Sequence, residues 1–251
     1  MHSWLIPASL SLKAFRSYVG PTRFELRPLT LLYGLNNAGK SALLRALPLI
    51  ADSVGPDASG PLHLESAAAG GCAFNDLRWK GGGDDDPTGI ELELEWLDPA
   101  SESRPGRVCF ELVWFEEWRR VVIRTLQIWR DDGADDCAAA LTASWVPRRE
   151  ERTHRALSYR LERSGVVDHC SIVFEGLAPA PGQDELPQEL QSIGERLRGL
   201  KGAVQWLRAV RVSPQRMSKH PSAPRWRVAP DGSDAGAALA THPEILHEVS
   251  Q

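Results

Sequence analysis

The residues Gly34-Leu35-Asn36-Asn37-Ala38-Gly39-Lys40-Ser41 fill every fixed position of the phosphate-cradling pattern G-x-x-x-x-G-K-[ST], the P-loop or Walker A motif. Each fixed position has a physical task. Gly34 and Gly39 let the backbone turn where a side chain would clash, so that consecutive N–H groups can face phosphate oxygens. Lys40 adds a full positive charge, and a helix beginning near it contributes its positive dipole end and unpaired amides. The hydroxyl of Ser41 suits Mg²⁺. The spacing therefore points to a nucleoside triphosphate, with magnesium as the expected metal.

Such a loop needs one element to deliver it and another to receive it. The apolar run Leu29-Thr30-Leu31-Leu32-Tyr33 predicts a short buried strand before the loop, and Ser41-Ala-Leu-Leu-Arg-Ala-Leu-Pro-Leu-Ile predicts a helix after it. Upstream, Ser9-Leu-Ser-Leu-Lys-Ala-Phe15 alternates as a half-buried strand does, and Phe24-Glu-Leu26 reads as a second. Residues 1–54 thus form an expected nucleotide-binding core. Residues 55–88 read as a loop region, because 55–71 are rich in Gly, Pro, Ser and Ala; no chemistry attaches to them.

From 89 to 178 the pattern changes to short strands separated by turn signals. In Gly89-Ile-Glu-Leu-Glu-Leu-Glu-Trp96 the apolar Ile90, Leu92, Leu94 and Trp96 fall on one face and Glu91, Glu93 and Glu95 on the other. Runs at 107–115, 119–129, 138–145, 157–161 and 170–174 continue the series, with turns expected at Asp131-Asp-Gly133 and Ser164-Gly165. This predicts an antiparallel meander, whose tryptophans read as core or cross-strand partners rather than a stacking surface. Residues 179–251 return to helical spacing: Leu190, Ile193, Leu197, Leu200, Val204 and Leu207 predict a helix over 187–209, weakened by Gly194, Gly199 and Gly202. A short strand at 209–212 and a capped helix start at Thr241-His-Pro243-Glu244 complete the reading.

With 251 residues, 42% of them hydrophobic and 25% charged, the chain has the make-up of an ordinary globular protein. A formal net charge of −4 argues against a general polyanion-binding surface, although Arg148-Arg149 and Arg225-Trp-Arg227 are basic spots. Cys72, Cys109, Cys137 and Cys170 are widely spaced, without zinc-site or C-x-x-C spacing, and fit thiols of a reducing, cytoplasmic compartment. Neither a signal peptide nor a membrane-spanning run is legible, so no membrane partner is expected.

Taken together, these stretches resemble the ATPase heads of the AAA/ABC-type P-loop superfamily, in the RecF-, SMC- and OLD-like group. The resemblance is carried by Leu12-Lys-Ala-Phe15-Arg16-Ser17-Tyr18, by residues 29–47 and most closely by Asn36-Asn37-Ala38-Gly39-Lys40-Ser41. Phe74-Asn-Asp76-Leu77 with the meander, and more weakly Val212-Ser-Pro214-Gln-Arg216 and Asp231-Gly232, extend it. It implies an α/β fold: the N-terminal lobe of a P-loop NTPase with an antiparallel β-meander subdomain. It also implies that Arg16 and Ser17 approach the nucleotide while Gly34, Asn36, Asn37, Ala38, Gly39, Lys40, Ser41 and Ala42 wrap its phosphates, with Ser41 on the metal. Asp76, at the place of the relatives' Q-loop, and Arg216 read more simply as surface residues.

The departures matter as much. The sequence has no Leu-Ser-x-Gly-like signature and no apolar strand ending in Asp-Glu; Ile172-Val-Phe-Glu175 comes nearest but lacks the Asp. No switch histidine can be placed among His220, His242 and His247, and no Asn-Lys-x-Asp guanine reader is present. The expected protein is therefore the N-terminal part of an ATPase head, as a fragment or as one half of a split enzyme, that binds Mg-ATP without a recognisable catalytic carboxylate. A homodimer or a partner supplying the catalytic half is implied, with DNA as a candidate ligand through DNA repair or phage defence. The alternative is a non-hydrolysing, nucleotide-dependent interaction module.

Overall fold

The computed structural model describes residues 6–81, 89–97, 105–130, 139–208 and 228–240. These fall into two compact units, residues 1–203 and 204–251. Expectations for 209–212, Arg216, Asp131-Asp-Gly133, Cys137 and Thr241-His-Pro243-Glu244 lie outside the described residues.

The first unit is built on one nine-stranded sheet in which every neighbouring pair is antiparallel. Its strands are β1 (Ser9–Lys13), β2 (Thr22–Glu25), β3 (Gly89–Glu95), β4 (Pro105–Phe115), β5 (Arg120–Arg130), β6 (Leu141–Trp145), β7 (Ala156–Arg163), β8 (Val166–Glu175) and β9 (Ala178–Pro179). The order is β2-β1-β3-β4-β5-β6-β7-β8-β9. The two strands assigned by sequence to the nucleotide-binding core thus share one sheet with the meander: Leu10 pairs with Leu94 and Leu12 with Leu92 across β1 and β3.

Alternation decides which face is core. Leu10, Leu12, Ile90, Leu92, Leu94, Val108, Phe110, Leu112, Leu126 and Ile128 are all buried. The opposite face carries Lys13, Glu91, Glu95 and Arg23, joined by the Lys13–Glu91 and Arg23–Glu95 ion pairs. One irregularity preserves the pattern. Glu111 pairs with Thr125 and Leu112 with Ile123, so Arg124 is an extra residue in a β-bulge, and Ile123 stays on the core side with Leu112 and Leu126. The turn at Ser164-Gly165 has positive φ at both residues (50° and 80°), the geometry of a tight two-residue hairpin.

Helices line the core side. α1 (Lys40–Asp52) buries Ala42, Leu43, Ala46, Leu49 and Ile50. α2 (Phe74–Leu77) is a single turn that buries Phe74 and Leu77. α3 (Gln188–Ala203) buries Leu190, Ile193, Leu197 and Leu200, as the spacing predicts. It ends at Ala203, short of the predicted 209, leaving Val204 and Leu207 outside it; Gly199 and Gly202 make its last turn costly to propagate. The C-terminal end of α1 is pinned to β8 through Gly176, whose amide neighbour Leu177 N–H donates to Ser53 O at 2.8 Å. A Cβ at Gly176 would lie 1.9 Å from that carbonyl oxygen, and its φ is 69°, so only glycine fits.

Residues 55–71 form turns and bends without helix or strand, and this loop is packed, because Leu62, Ala68 and Ala69 are buried and Ser53 Oγ accepts from His63 N–H at 2.8 Å. One expectation changes. The strand predicted at 29–33 is absent: these residues form no ladder, and Leu29, Leu31, Leu32 and Tyr33 are exposed. A strand needs a neighbour to take its N–H and C=O groups. Among the described residues none lies beside this run, and the chain just before it turns locally instead, with Arg27 N–H donating to Thr30 Oγ1 at 3.0 Å.

In the second unit, α4 (Ala235–Ala240) follows a turn organised by Asp234, whose Oδ1 accepts from Ala229 N–H at 2.6 Å. Asp231 Oδ1 accepts from Ser233 N–H, which holds that carboxyl below its usual range.

Candidate nucleotide-binding site

The loop departs from the regular backbone where its glycines allow. Gly34, Asn37 and Gly39 take positive φ of 147°, 66° and 84°, and α1 starts directly afterwards at Lys40. The amides of Ala42 and Leu43 bond back to Gly39 O at 2.9 and 3.0 Å. Those of Gly39, Lys40 and Ser41 have no acceptor among the described residues. Three amides therefore stand at the positive end of a helix of 13 residues, the arrangement that attracts phosphate. Lys40 Nζ folds over the loop and donates to Gly34 O at 2.7 Å and Leu35 O at 2.6 Å. Its charge is thus held above the same backbone arc, where phosphate oxygens would compete for it.

The β1–β2 connection buttresses this arc from one side. Phe15 N–H donates to Tyr18 O at 3.0 Å and Tyr18 N–H to Phe15 O at 2.9 Å, closing a tight turn that presents Ser17 and Tyr18. Tyr18 Oη donates to Gly39 O at 3.0 Å, while its ring meets Phe24 edge-on with centroids 5.2 Å apart. A Cβ on Gly39 would lie 2.7 Å from Ser17 Oγ and 2.8 Å from Tyr18 Oη. Glycine at 39 is thus required twice, by its left-handed φ and by the close approach of this turn.

Of the residues singled out by sequence, Ser17, Gly39, Lys40, Ser41 and Ala42 come together at the start of α1, with Gly34, Asn36, Asn37 and Ala38 forming the preceding arc. Ser41 is exposed and Ala42 buried against the core. Arg16 points elsewhere: Nη2 lies 3.8 Å from Cys72 Sγ, and Nε is buried without a partner. It takes φ of 49°, pinned by its amide donating to Leu77 O at 2.6 Å. Asp76 caps α2 by accepting from Ala73 N–H at 3.1 Å and pairs with Lys80, which fits its reading as a local surface residue. Tyr18 is the contact that motif reading passed over; its signal was an aromatic with a polar tip directly after Ser17.

No group of three or more His, Cys, Asp or Glu side chains able to hold a metal occurs among the described residues. Glu175, at the end of the nearest candidate strand, sits instead at the β8 end that meets Gly55. Burial pushes the Cys109 thiol up to about 12 and Cys170 to about 11, so neither is a nucleophile at neutral pH. No helix among the described residues is long and apolar enough to cross a membrane.

Residues 9–96 match the family model described as an AAA domain. This stretch contains the loop, α1 and the β1–β2 buttress, and the match supports an AAA-type P-loop ATPase with a nucleotide-binding role. No curated protein and no solved structure is significantly similar to the chain.

Proposed function

We propose that this chain binds Mg-ATP through the 34–41 loop, as the nucleotide-binding part of an ABC/OLD-like ATPase whose catalytic carboxylates come from another segment or partner. The observation that carries the reading is the set of three unbonded amides at the start of α1, under Lys40 and against Ser17 and Tyr18. The residues fit the ligand. The Gly39, Lys40 and Ser41 amides would hold phosphate oxygens, the Lys40 ammonium would bridge the β and γ phosphates, and the Ser41 hydroxyl would ligate the metal. Magnesium, when bound, supplies neutralisation of the phosphate charge. Without a carboxylate to orient water, hydrolysis by the chain alone is expected to be very slow, because phosphoryl transfer depends on positioned metal, base and charge.

The test is ATP-dependent thermal stabilisation with magnesium present. Wild type at a ligand excess of 100 Kd should gain about 2.7 kcal/mol, and Lys40→Ala should lose most of it. Equal shifts in the two proteins would remove the site.

A second reading has its own observation. The exposed apolar run at 29–35, directly before the loop, suits a nucleotide-dependent interaction module whose partner covers that run. Steady ATP turnover by the purified chain, abolished by Lys40→Ala, would exclude it. Coupling to DNA repair or phage defence, and closure of a dimer around ATP, rest on the family resemblance alone. DNA affinity measured with and without ATP across a salt series tests the first, and absence of any salt-dependent binding would count against it.

A further inference from the structure

On its outer side β8 is bordered only by the two-residue β9, which pairs with Phe174 and Glu175. Its pairing with β7 runs from Arg163↔Val166 to Ala156↔Val173 without a bulge. The two-residue turn at Ser164-Gly165 makes Arg163 and Val166 a hydrogen-bonded pair. Even-numbered residues from 166 to 172 therefore turn their N–H and C=O groups toward β7, and the odd-numbered ones turn theirs away. Two contacts agree with that parity. Val173 meets Gln183 on the outside, its N–H donating to Oε1 and its O accepting from Nε2, both at 2.9 Å. His169 N–H, lacking a ladder acceptor, donates to the neighbouring Asp168 Oδ1 at 2.7 Å.

A window of three outward-facing residues is left: Val167, His169 and Ser171. Apart from the His169 amide, their backbone N–H and C=O groups have no partner among the described residues. Side chains do little to close it. Val166 and Val167 are 68% and 47% exposed, and residues 166–172 include neither Pro nor Lys, the residues that commonly blunt an edge. An open edge of this kind is a template for another strand.

The symmetry of the window decides the occupant. It is bounded by the turn at Gly165 on one side and by the Gln183 cap on Val173 on the other, and its midpoint is His169. An antiparallel second copy centred there pairs 169 with 169 and 167 with 171 on both sides, so that all three pairs exchange both bonds. Gly165 of the copy, where its strand has already turned, then comes opposite Val173, where Gln183 occupies the edge. A centre one residue away in either direction would bring the turn or the capped Val173 into the ladder instead. The two-fold axis stands perpendicular to the sheet, so buried face continues into buried face, and the exposed Val166 and Val167 come opposite Ile172 and Ser171 of the copy.

We propose that the β8 edge is a homodimer interface, in which two copies join β8 to β8 about His169 and continue the sheet. It is separate from any closure around nucleotide, because β8 and the β1–β2 buttress of the phosphate loop lie toward opposite ends of the strand order. A single strand pair of this length buries less than the roughly 1,200 Å² typical of lasting complexes, so the dimer is weak and concentration-dependent.

The experiment is sedimentation velocity of the full chain without nucleotide, over about 5 to 500 µM, where weak complexes dissociate. Wild type should pass from monomer to dimer as concentration rises. Ser171→Pro removes an outward N–H and no bond to β7; it should weaken the dimer at least ten-fold while the circular dichroism stays that of wild type. If it fails to fold, Val167→Lys carries the test, since a lysine on the edge opposes pairing and should also weaken the dimer at least ten-fold. Asp168→Ala, which frees the His169 amide, should tighten it. Register is read by oxidative cross-linking and peptide mapping. His169→Cys should give a 169–169 disulfide, the two Cα atoms being about 5.5 Å apart, and Val167→Cys no 167–167 link, at about 13 Å. Four results would overturn the proposal: wild type monomeric throughout, a dimer that forms only with Mg-ATP, wild-type dimerisation in both Ser171→Pro and Val167→Lys, or a 167–167 link without a 169–169 link.

Discussion

Leu31 and Leu92 both sit in short apolar runs that read as strands, yet Leu92 is 1% exposed and Leu31 74%. Leu92 has β1 on one side and β4 on the other, pairing with Leu12 and Phe110. Leu31 has no strand beside it among the described residues, and its backbone forms no ladder. The difference teaches that an apolar run supplies only half of a strand. The other half is a neighbour that takes its N–H and C=O groups and covers its side chains. The meander brings its own neighbours in chain order, each strand handing over to the next. The run before the phosphate loop depends on a neighbour from elsewhere, and it and the loop it should deliver are poorly packed, residues 29–38 all being exposed.

The largest effect that would sharpen this comparison is on stability. Leu92→Ala should cost about 2–5 kcal/mol, from lost transfer energy and a cavity under the sheet. Leu31→Ala in the same background should stay within about 0.5 kcal/mol. Chemical denaturation of both variants reads the contrast, and similar losses would break it by showing that Leu31 is covered in solution. Next in size is the support for the loop. Tyr18→Phe removes the bond to Gly39 O at 3.0 Å and should cost about 1 kcal/mol of stability. It should also weaken ATP binding while leaving maximal ATP-dependent stabilisation attainable at higher ligand. An unchanged ATP affinity would mean that the loop holds its shape without the β1–β2 turn.

The smallest effect concerns two carboxylates on the polar face of the sheet, and it tests whether that face is as passive as it looks. Burial alone would raise the Glu111 carboxyl, but the Arg124 guanidinium and the Thr125 hydroxyl outweigh it and hold it below the usual value. Its folded pKa is depressed, so its contribution is present above about pH 5 and is lost as pH falls through the folded value. Glu111→Gln should therefore cost about 0.2–1 kcal/mol at neutral pH, discounted for solvent screening, and nothing in acid. Glu93 runs the other way, because burial raises its carboxyl. Glu93→Gln should gain on wild type as pH rises through the carboxylate range. Parallel urea titrations between about pH 3 and pH 7 would show the two trends, and parallel curves for both variants would rule out the pair of opposed shifts.

The existence and order of β3 to β8 were legible, and in β3 the facing of each residue, because period-two alternation over Ile90, Leu92 and Leu94 has one solution once a face is buried; the bounds were not, since the run expected at 170–174 is only half of β8 (Val166–Glu175) and β9 carried no signal. The buried Leu190, Ile193, Leu197 and Leu200 of α3 were legible for the same kind of reason, at a period of 3.6, while its end at Ala203 was not, since helix ends depend on what packs beyond them. In the candidate site, the arc from Gly34 to Ser41 could be read from residue types alone. The Tyr18–Gly39 contact and the turning of Arg16 toward Cys72 could not, because they depend on where β1 and α2 meet.

What the sequence determined by itself is local: which residues can turn, alternate, cap a helix or carry a charge beside a phosphate. Those properties are written in side-chain size and period, and they gave the loop, the meander and the helix faces. Only the tertiary structure decided how these parts share neighbours. It joined the N-terminal strands and the meander into one sheet, left 29–35 uncovered, packed the 55–71 segment and left the outer edge of β8 open. Pairing and burial are long-range, and each depends on residues far apart in the chain that no local pattern encodes.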